Sequence, residues 1–191
     1  MIQIIPVTID SVNLYLLDTG AYRLLVDSGF PGSIPALGRA LRPHDIKVRD
    51  IDHVLVTHFH IDHAGAVQQL KDEGIQFILP DMQQDHIAAM EAMAAKWPYT
   101  TLRRDDNIVL TIDELRPFLT KNGIAAQAIP VAGHSPDSIC LLLDSGDVFS
   151  GDMPRYGIAE ASGPEALASW HMLKEKGATT VYPGHGDPYQ L

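Results

Sequence analysis

The stretch THFHIDHAG sets three histidines and an aspartate within six consecutive positions, at His58, His60, Asp62 and His63. In an extended loop, side chains two apart point the same way, so His58 and His60 can reach one cation together. Asp62 and His63 follow where a helix begins, and the turn of the chain can direct them to a second cation beside the first. Gly65 leaves room for close backbone approach at that turn. Imidazole with carboxylate is a donor set for zinc, iron or manganese rather than calcium. Zinc is the first choice. The bland alternative is a solvated loop that happens to be rich in histidine.

A catalytic divalent ion commonly keeps three protein ligands and one open position, so two ions need more donors than this loop supplies. Three candidates lie farther along, each directly after a glycine at the end of a strand-like run. They are His134 in VAGHSPDS, Asp152 in FSGDM and His185 in YPGHGD. Taken singly, each reads as an ordinary turn residue. Taken together they change the reading, because five of the nine histidines fall in the THFHIDH loop and these later loops. His44, His53, His86 and His171 stand outside them and read as surface or helix-face residues.

The elements that must position these groups alternate in type. QIIPVTI, SVNLYLLDTG and AYRLLVDSG read as strands, with Thr19-Gly20 as a hairpin turn. A helix is expected from about Pro35, with Leu37, Ala40 and Leu41 on one face. DIDHVLVTH is a strand running into the histidine loop, and AGAVQQLKDEG a short helix ended by Gly74. After the strand IQFILP, a helix is expected from an Asp81 cap to Pro98. Residues 99–122 mix strand-like and helical fragments. Beyond them come IAAQAIPVAG, a hairpin SICLLLDSGDVFSGD turning at Ser145-Gly146, a helix ending at Gly177, and the strand TTVYPGHG. This order predicts a layered α/β architecture rather than an all-β sandwich.

Composition narrows the function. The 191 residues suit one domain, expected over 1–191, with the segment at about 81–98 as a helical lid carrying Met82, Met90, Met93 and Trp97. The formal charge of −10, from 24 acidic and 14 basic residues, argues against a nucleic-acid partner. The single cysteine, Cys140, allows no intrachain disulfide and sits in an apolar run as a buried thiol. MIQIIPVTID has no basic n-region, and no run is long enough to span a membrane, so a cytoplasmic protein is expected. The partners to expect are a small-molecule substrate and further copies of this chain in a homo-oligomer.

THFHIDH with the downstream GHS, GD and PGHG resembles the metallo-β-lactamase fold hydrolase superfamily, of the glyoxalase II and acyl-homoserine lactonase type. The match runs from LLVDSG to PGHGDP. The resemblance implies a four-layer αββα sandwich. It implies that His58, His60 and His134 hold one divalent ion, that Asp62, His63 and His185 hold a second, and that Asp152 bridges them. Asp27, in the first Asp-Ser-Gly, would support a ligating histidine from behind. The best-known β-lactamase subclass has a cysteine where this chain has Asp152, which disfavours antibiotic hydrolysis. The expected activity is hydrolysis of a small ester, thioester or lactone through a metal-bridging hydroxide. Asp62 would also aim that hydroxide, and Tyr156, shortly after the bridging aspartate as in the lactonases, would donate to a substrate oxygen. The rival reading is a mononuclear iron persulfide dioxygenase using His58, His134 and Asp152.

Overall fold

The protein is described by a computed structural model covering residues 2–191. Two sheets face each other. In the first, β1 (Gln3–Ile9), β2 (Val12–Asp18), β3 (Arg23–Val26), β4 (His53–Leu55), β5 (Gln76–Pro80) and β6 (Ile108–Leu110) lie side by side in chain order. The first three are antiparallel and the next pairings are parallel. The second sheet comprises β7 (Ala126–Pro130), β8 (Ile139–Leu143), β9 (Asp147–Gly151), β10 (Thr180–Pro183) and β11 (Tyr189–Gln190), ordered β11-β10-β9-β8-β7. Helices α1 (Ile34–Leu41), α2 (Ile61–Ala64), α3 (Val67–Asp72), α4 (Ile87–Met93), α5 (Ile112–Lys121), α6 (Ala159–Ser162) and α7 (Pro164–Glu175) complete the chain.

Strands covered on both faces should be apolar at successive positions, and β8, ICLLL, is buried throughout. Its odd positions Ile139, Leu141 and Leu143 meet Leu17, Val26 and Leu55 of the first sheet in the central layer. Its even positions Cys140 and Leu142 face Trp170 and Leu173 of α7 on the outside. The outer face of the first sheet, with Leu14, Leu16 and Val54, packs on Leu37 of α1, Leu70 of α3 and Met90 of α4. The result is the expected helix–sheet–sheet–helix stack. Cys140 is buried as expected, and no helix among the described residues is long and apolar enough to cross a membrane.

The stretch expected as one helix from Asp81 to Pro98 is instead a 3₁₀ turn, Asp81–His86, then α4, then a second 3₁₀ turn, Ala94–Lys96. Asp81 does not cap a helix; its carboxylate accepts from the adjacent Met82 N–H. The cause of the break lies in Gln83, fully buried, whose amide donates to the carbonyls of Val56, Thr57 and Asp137. Reaching three carbonyls on two other segments fixes the chain there in a tighter turn. Ile87, Met90 and Ala94 then pin the segment to the core, while Met93 and Trp97 stay exposed.

Residues 99–122 resolve into β6 and α5. Thr111 and Glu114 form a reciprocal cap at the start of α5, which the spacing T-x-x-E already carries. His53 corrects another expectation. It is neither a surface nor a helix-face residue but a half-buried strand residue wedged between Tyr22 and Phe118.

Trp170 is fully buried, and its indole N–H donates to the Pro154 carbonyl at 2.7 Å, tying α7 to the loop after β9. Trp170→Ala should therefore lower the unfolding free energy by about 3–5 kcal/mol, read from urea denaturation midpoints.

Candidate metal centre

Seven side chains from four loops converge at one edge of the sandwich. Ligating atoms of His58, His60, His134 and Asp152 lie within 4.8 Å of one another, as do those of Asp62, His63, Asp152 and His185. All seven residues singled out in the sequence as candidate ligands are thus brought together. In the first group His134 Nε2 stands 3.0 Å from both His58 Nε2 and His60 Nδ1. In the second, Asp62 Oδ2 is 3.2 Å from His185 Nε2 and 3.5 Å from His63 Nε2. Asp152 belongs to both. Its Oδ2 is 3.6 Å from His134 Nε2, and its Oδ1 is 3.1 Å from His63 Nε2.

These separations suit cations. Two nitrogens about 2.0–2.1 Å from a tetrahedral zinc ion stand about 3.3 Å apart. Three imidazole nitrogens meeting at one point cannot all be satisfied by shared protons. His63 Nε2 and Asp152 Oδ1 are buried without a hydrogen-bond partner; their approach lacks the alignment of a bond. Buried polar atoms left bare are costly, so a pair aimed at a common point fits a missing third party. Gly184 completes the cradle, since a Cβ there would stand 2.6 Å from Asp152 Oδ1 and 2.7 Å from His63 Cε1.

His63 and His185 are oriented from behind. Asp27, buried and held at the left-handed φ of +64°, places Oδ2 2.8 Å from His63 Nδ1 and accepts from the Thr57 N–H through Oδ1. That contact turns His63 Nε2 into the cluster. His185 Nδ1 lies 2.7 Å from the Ser11 carbonyl, so Nε2 again faces inward. Ser11 sits with Asp10 in a two-residue β1–β2 turn, both at positive φ, which aims that carbonyl. From β2, the Asn13 amide donates to the carbonyls of Pro183 and Gly186, and the Tyr15 hydroxyl to Pro183, clamping the PGHG loop. Asp137 accepts from the Phe59 N–H at 2.6 Å, joining the His134 loop to the histidine loop.

Charge differs between the two groups. Burial, helped by the neighbouring imidazoles, holds His58 far below the ordinary histidine range, and burial also lowers His134. Both offer neutral lone pairs. At His63 burial opposes charge, but Asp27, Asp152 and Asp62 outweigh it and raise its pKa well above the usual value. Burial likewise opposes ionisation of Asp62, yet His63 prevails and lowers it to about 2.

Asn13, Thr57, Gln83 and Asp137 escaped the sequence reading. Only Asn13 carried a signal, as a polar residue at a buried position of an apolar strand. Tyr156 is placed differently from the expectation: its ring meets Trp170 and the Lys174 ammonium on α7. Its neighbour Arg155, with His134, Asp152 and His185, lines a cavity of about 250 Å³.

Asp27→Asn keeps the shape but removes the charge behind His63. Zinc affinity of the group around His63 should fall about 10–100-fold, while the group around His134 is spared, as read by competition with a chromophoric chelator.

The metallo-beta-lactamase superfamily profile matches residues 7–185. A "Beta-lactamase-like protein 2 homolog" from Caenorhabditis elegans is 28% identical over 190 residues, covering 95% of this chain and 58% of the relative. "Thioesterase pkgB" from Emericella nidulans is 30% identical over 188 residues, covering 94% and 47%. The chain thus spans about half the length of these curated relatives. Among solved structures, a metallo-beta-lactamase family protein from Thermus thermophilus superposes with a TM-score of 0.71 at 19% identity, covering 99% of this chain and 74% of that one. The BLEG-1 B3 metallo-beta-lactamase gives 0.70 at 24% identity, covering 100% and 94%. With its fold, its convergent histidines and aspartates, and a profile spanning nearly its whole length, the chain belongs to the metallo-beta-lactamase superfamily.

Proposed function

We propose that the chain is a metal-dependent hydrolase acting on a small thioester with two divalent ions, zinc before iron or manganese. The observation that carries this reading is Asp152, whose two oxygens face two separate histidine-containing groups. His58, His60 and His134 would hold one ion and Asp62, His63 and His185 the other, with Asp152 common to both groups. Such a pair supplies a water acidic enough to lose a proton near neutral pH, and positive charge for a developing oxyanion.

The chain's own residues do the rest. Asp62, held as a carboxylate, accepts a hydrogen bond from the attacking water and aims it. Asp27 fixes the ring of His63 through Nδ1, and the Ser11 carbonyl fixes that of His185. Loop carbonyls held by Asn13 and Tyr15 keep His185 in place as substrate enters.

Thioesters are preferred to lactones on the names of two relatives, Thioesterase pkgB and the Atrochrysone carboxyl ACP thioesterase of Aspergillus fumigatus, the latter 27% identical over 187 residues. The acidic balance of the chain fits a small-molecule substrate rather than a nucleic acid. We take residues 1–191 as one domain, in which exposed Met93 and Trp97 of the 81–98 segment give an apolar edge for an acyl chain.

Elemental analysis should find about two metal equivalents per chain, and a short acyl thioester should be hydrolysed. Chelation should abolish turnover and added zinc restore it. His58→Ala and Asp152→Ala should each lower kcat/KM more than about 100-fold with the far-ultraviolet circular dichroism unchanged. One equivalent of iron, with oxygen uptake on a persulfide, would instead install the dioxygenase.

A further inference from the structure

We propose that the cavity at the C-terminal end of α1 is a binding site for a soluble oligophosphate, such as the phosphate tail of a nucleotide, separate from the metal centre. The cavity measures about 450 Å³ and is lined by Gly38, Arg42, Asp45, Ile46, Lys47 and Val48. It shares no residue with the cavity around His134, Asp152 and His185. α1 begins near the histidine loop, where the Ala66 N–H donates to the Gly29 carbonyl. At 1.5 Å per residue, Arg42 stands roughly 13 Å along the helix axis from Ser33.

The backbone fixes the walls. α1 runs into a 3₁₀ turn, Arg42–His44, after which Asp45 adopts the left-handed φ of +57°. The Asp45 N–H donates to the Arg42 carbonyl and the Ile46 N–H to that of Leu41, which reverses the chain, and buried Ile46 anchors its return. A second 3₁₀ turn, Val48–Asp50, follows at once, with the Asp50 carboxylate accepting from the Lys47 N–H at 2.8 Å. Arg42 on the outgoing segment and Lys47 on the returning one thereby border the same space.

Charge says what the space would take. Residues 39–49 carry Arg39, Arg42, Lys47 and Arg49 against the single carboxylate of Asp45, a net +3 within a chain of −10. All four cations are exposed, and among the described residues none forms an ion pair. Arg23, Lys71, Arg103, Arg104 and Arg116, by contrast, are each matched to a carboxylate. The dipole of α1 accounts for a cation in its last turn, as at Arg39. It does not account for Lys47 and Arg49, which lie beyond the reversal. Arg39 and Arg42, three apart, also repel each other unless an anion answers them. Guanidinium forks match phosphate oxygens with paired hydrogen bonds, and the concave space suits a small molecule rather than the broad surface of a membrane.

The test is isothermal titration of the metal-loaded protein with ADP and ATP, each against adenosine as the phosphate-free counterpart. Wild type should bind at least one nucleotide with a Kd of about 100 μM or tighter, and adenosine about 10-fold or more weakly. The double variant Arg42→Gln, Lys47→Gln should weaken nucleotide binding about 10-fold or more with its melting temperature unchanged. The charge-matched control Lys121→Gln, Lys176→Gln should alter it less than about 3-fold, since distant exposed charges are screened. Asp45→Asn removes the one carboxylate on the wall, and asparagine accepts its positive φ, so binding there should tighten. Failure of both nucleotides to bind overturns the inference. So does binding that the Arg42→Gln, Lys47→Gln variant retains, which would place the phosphates at the metal centre. Sedimentation with phosphatidylglycerol vesicles, in a protein that binds neither nucleotide, would instead mark a membrane-facing patch.

Discussion

Asp152 is where the constraints meet. It is the last polar group delivered by β9, and its two oxygens look toward two different sets of nitrogens. A carboxylate that serves both sides has almost no latitude, since a rotation that favours one group takes it from the other. The backbone around it is shaped accordingly. Gly151 adopts a positive φ where a Cβ would stand 2.6 Å from Thr57 Oγ1, and Gly184 leaves the space that Asp152 and His63 occupy. Both sheets crowd this carboxylate, and glycine is what lets them come so close.

The two groups around it are chemically unequal. One is dominated by three imidazoles, and burial keeps His58 and His134 in the neutral form that binds a cation. The other places His63 among Asp27, Asp62 and Asp152, and there the carboxylates call for positive charge. Without an ion, a proton on His63 is what answers them. Proton and metal thus compete for the His63 nitrogen in one half of the centre, whereas in the other half burial disfavours a proton on His58 and His134.

How much of this could be read beforehand follows from how each residue acts. The clustered histidines and aspartates were legible because coordination is a side-chain property with its own spacing, and four of them sit in one short loop. The layered fold was legible because strands and helices alternate and β8 is apolar at every position. The supporting residues were not. Asn13, Gln83, Tyr15 and Asp137 work by contacts with backbone groups of distant loops, and a backbone carbonyl has no letter in the sequence. The same blindness produced the error over residues 81–98. Alanine and methionine there favour helix, but the tertiary contacts of one buried glutamine outweigh propensity. Tyr156 is singled out by the lactonase resemblance and its place after Asp152, and neither foresees that its ring turns onto α7.

Those hidden contacts also decide how folding and metal binding are joined. His58, His60, Asp62 and His63 leave the first sheet, while His134, Asp152 and His185 leave the second. Neither sheet alone owns a complete ligand set, so the centre exists only when the two are packed. The links that hold them in register, from Gln83 to Asp137, Asn13 to Pro183 and Ser11 to His185, cross the same seam. An ion bound there is bound by the packed state and not by the separated sheets. Its binding free energy is therefore added to the stability of the sandwich. His63 Nε2 and Asp152 Oδ1, buried without hydrogen-bond partners on opposite sides of the seam, are the atoms that a cation would tie together.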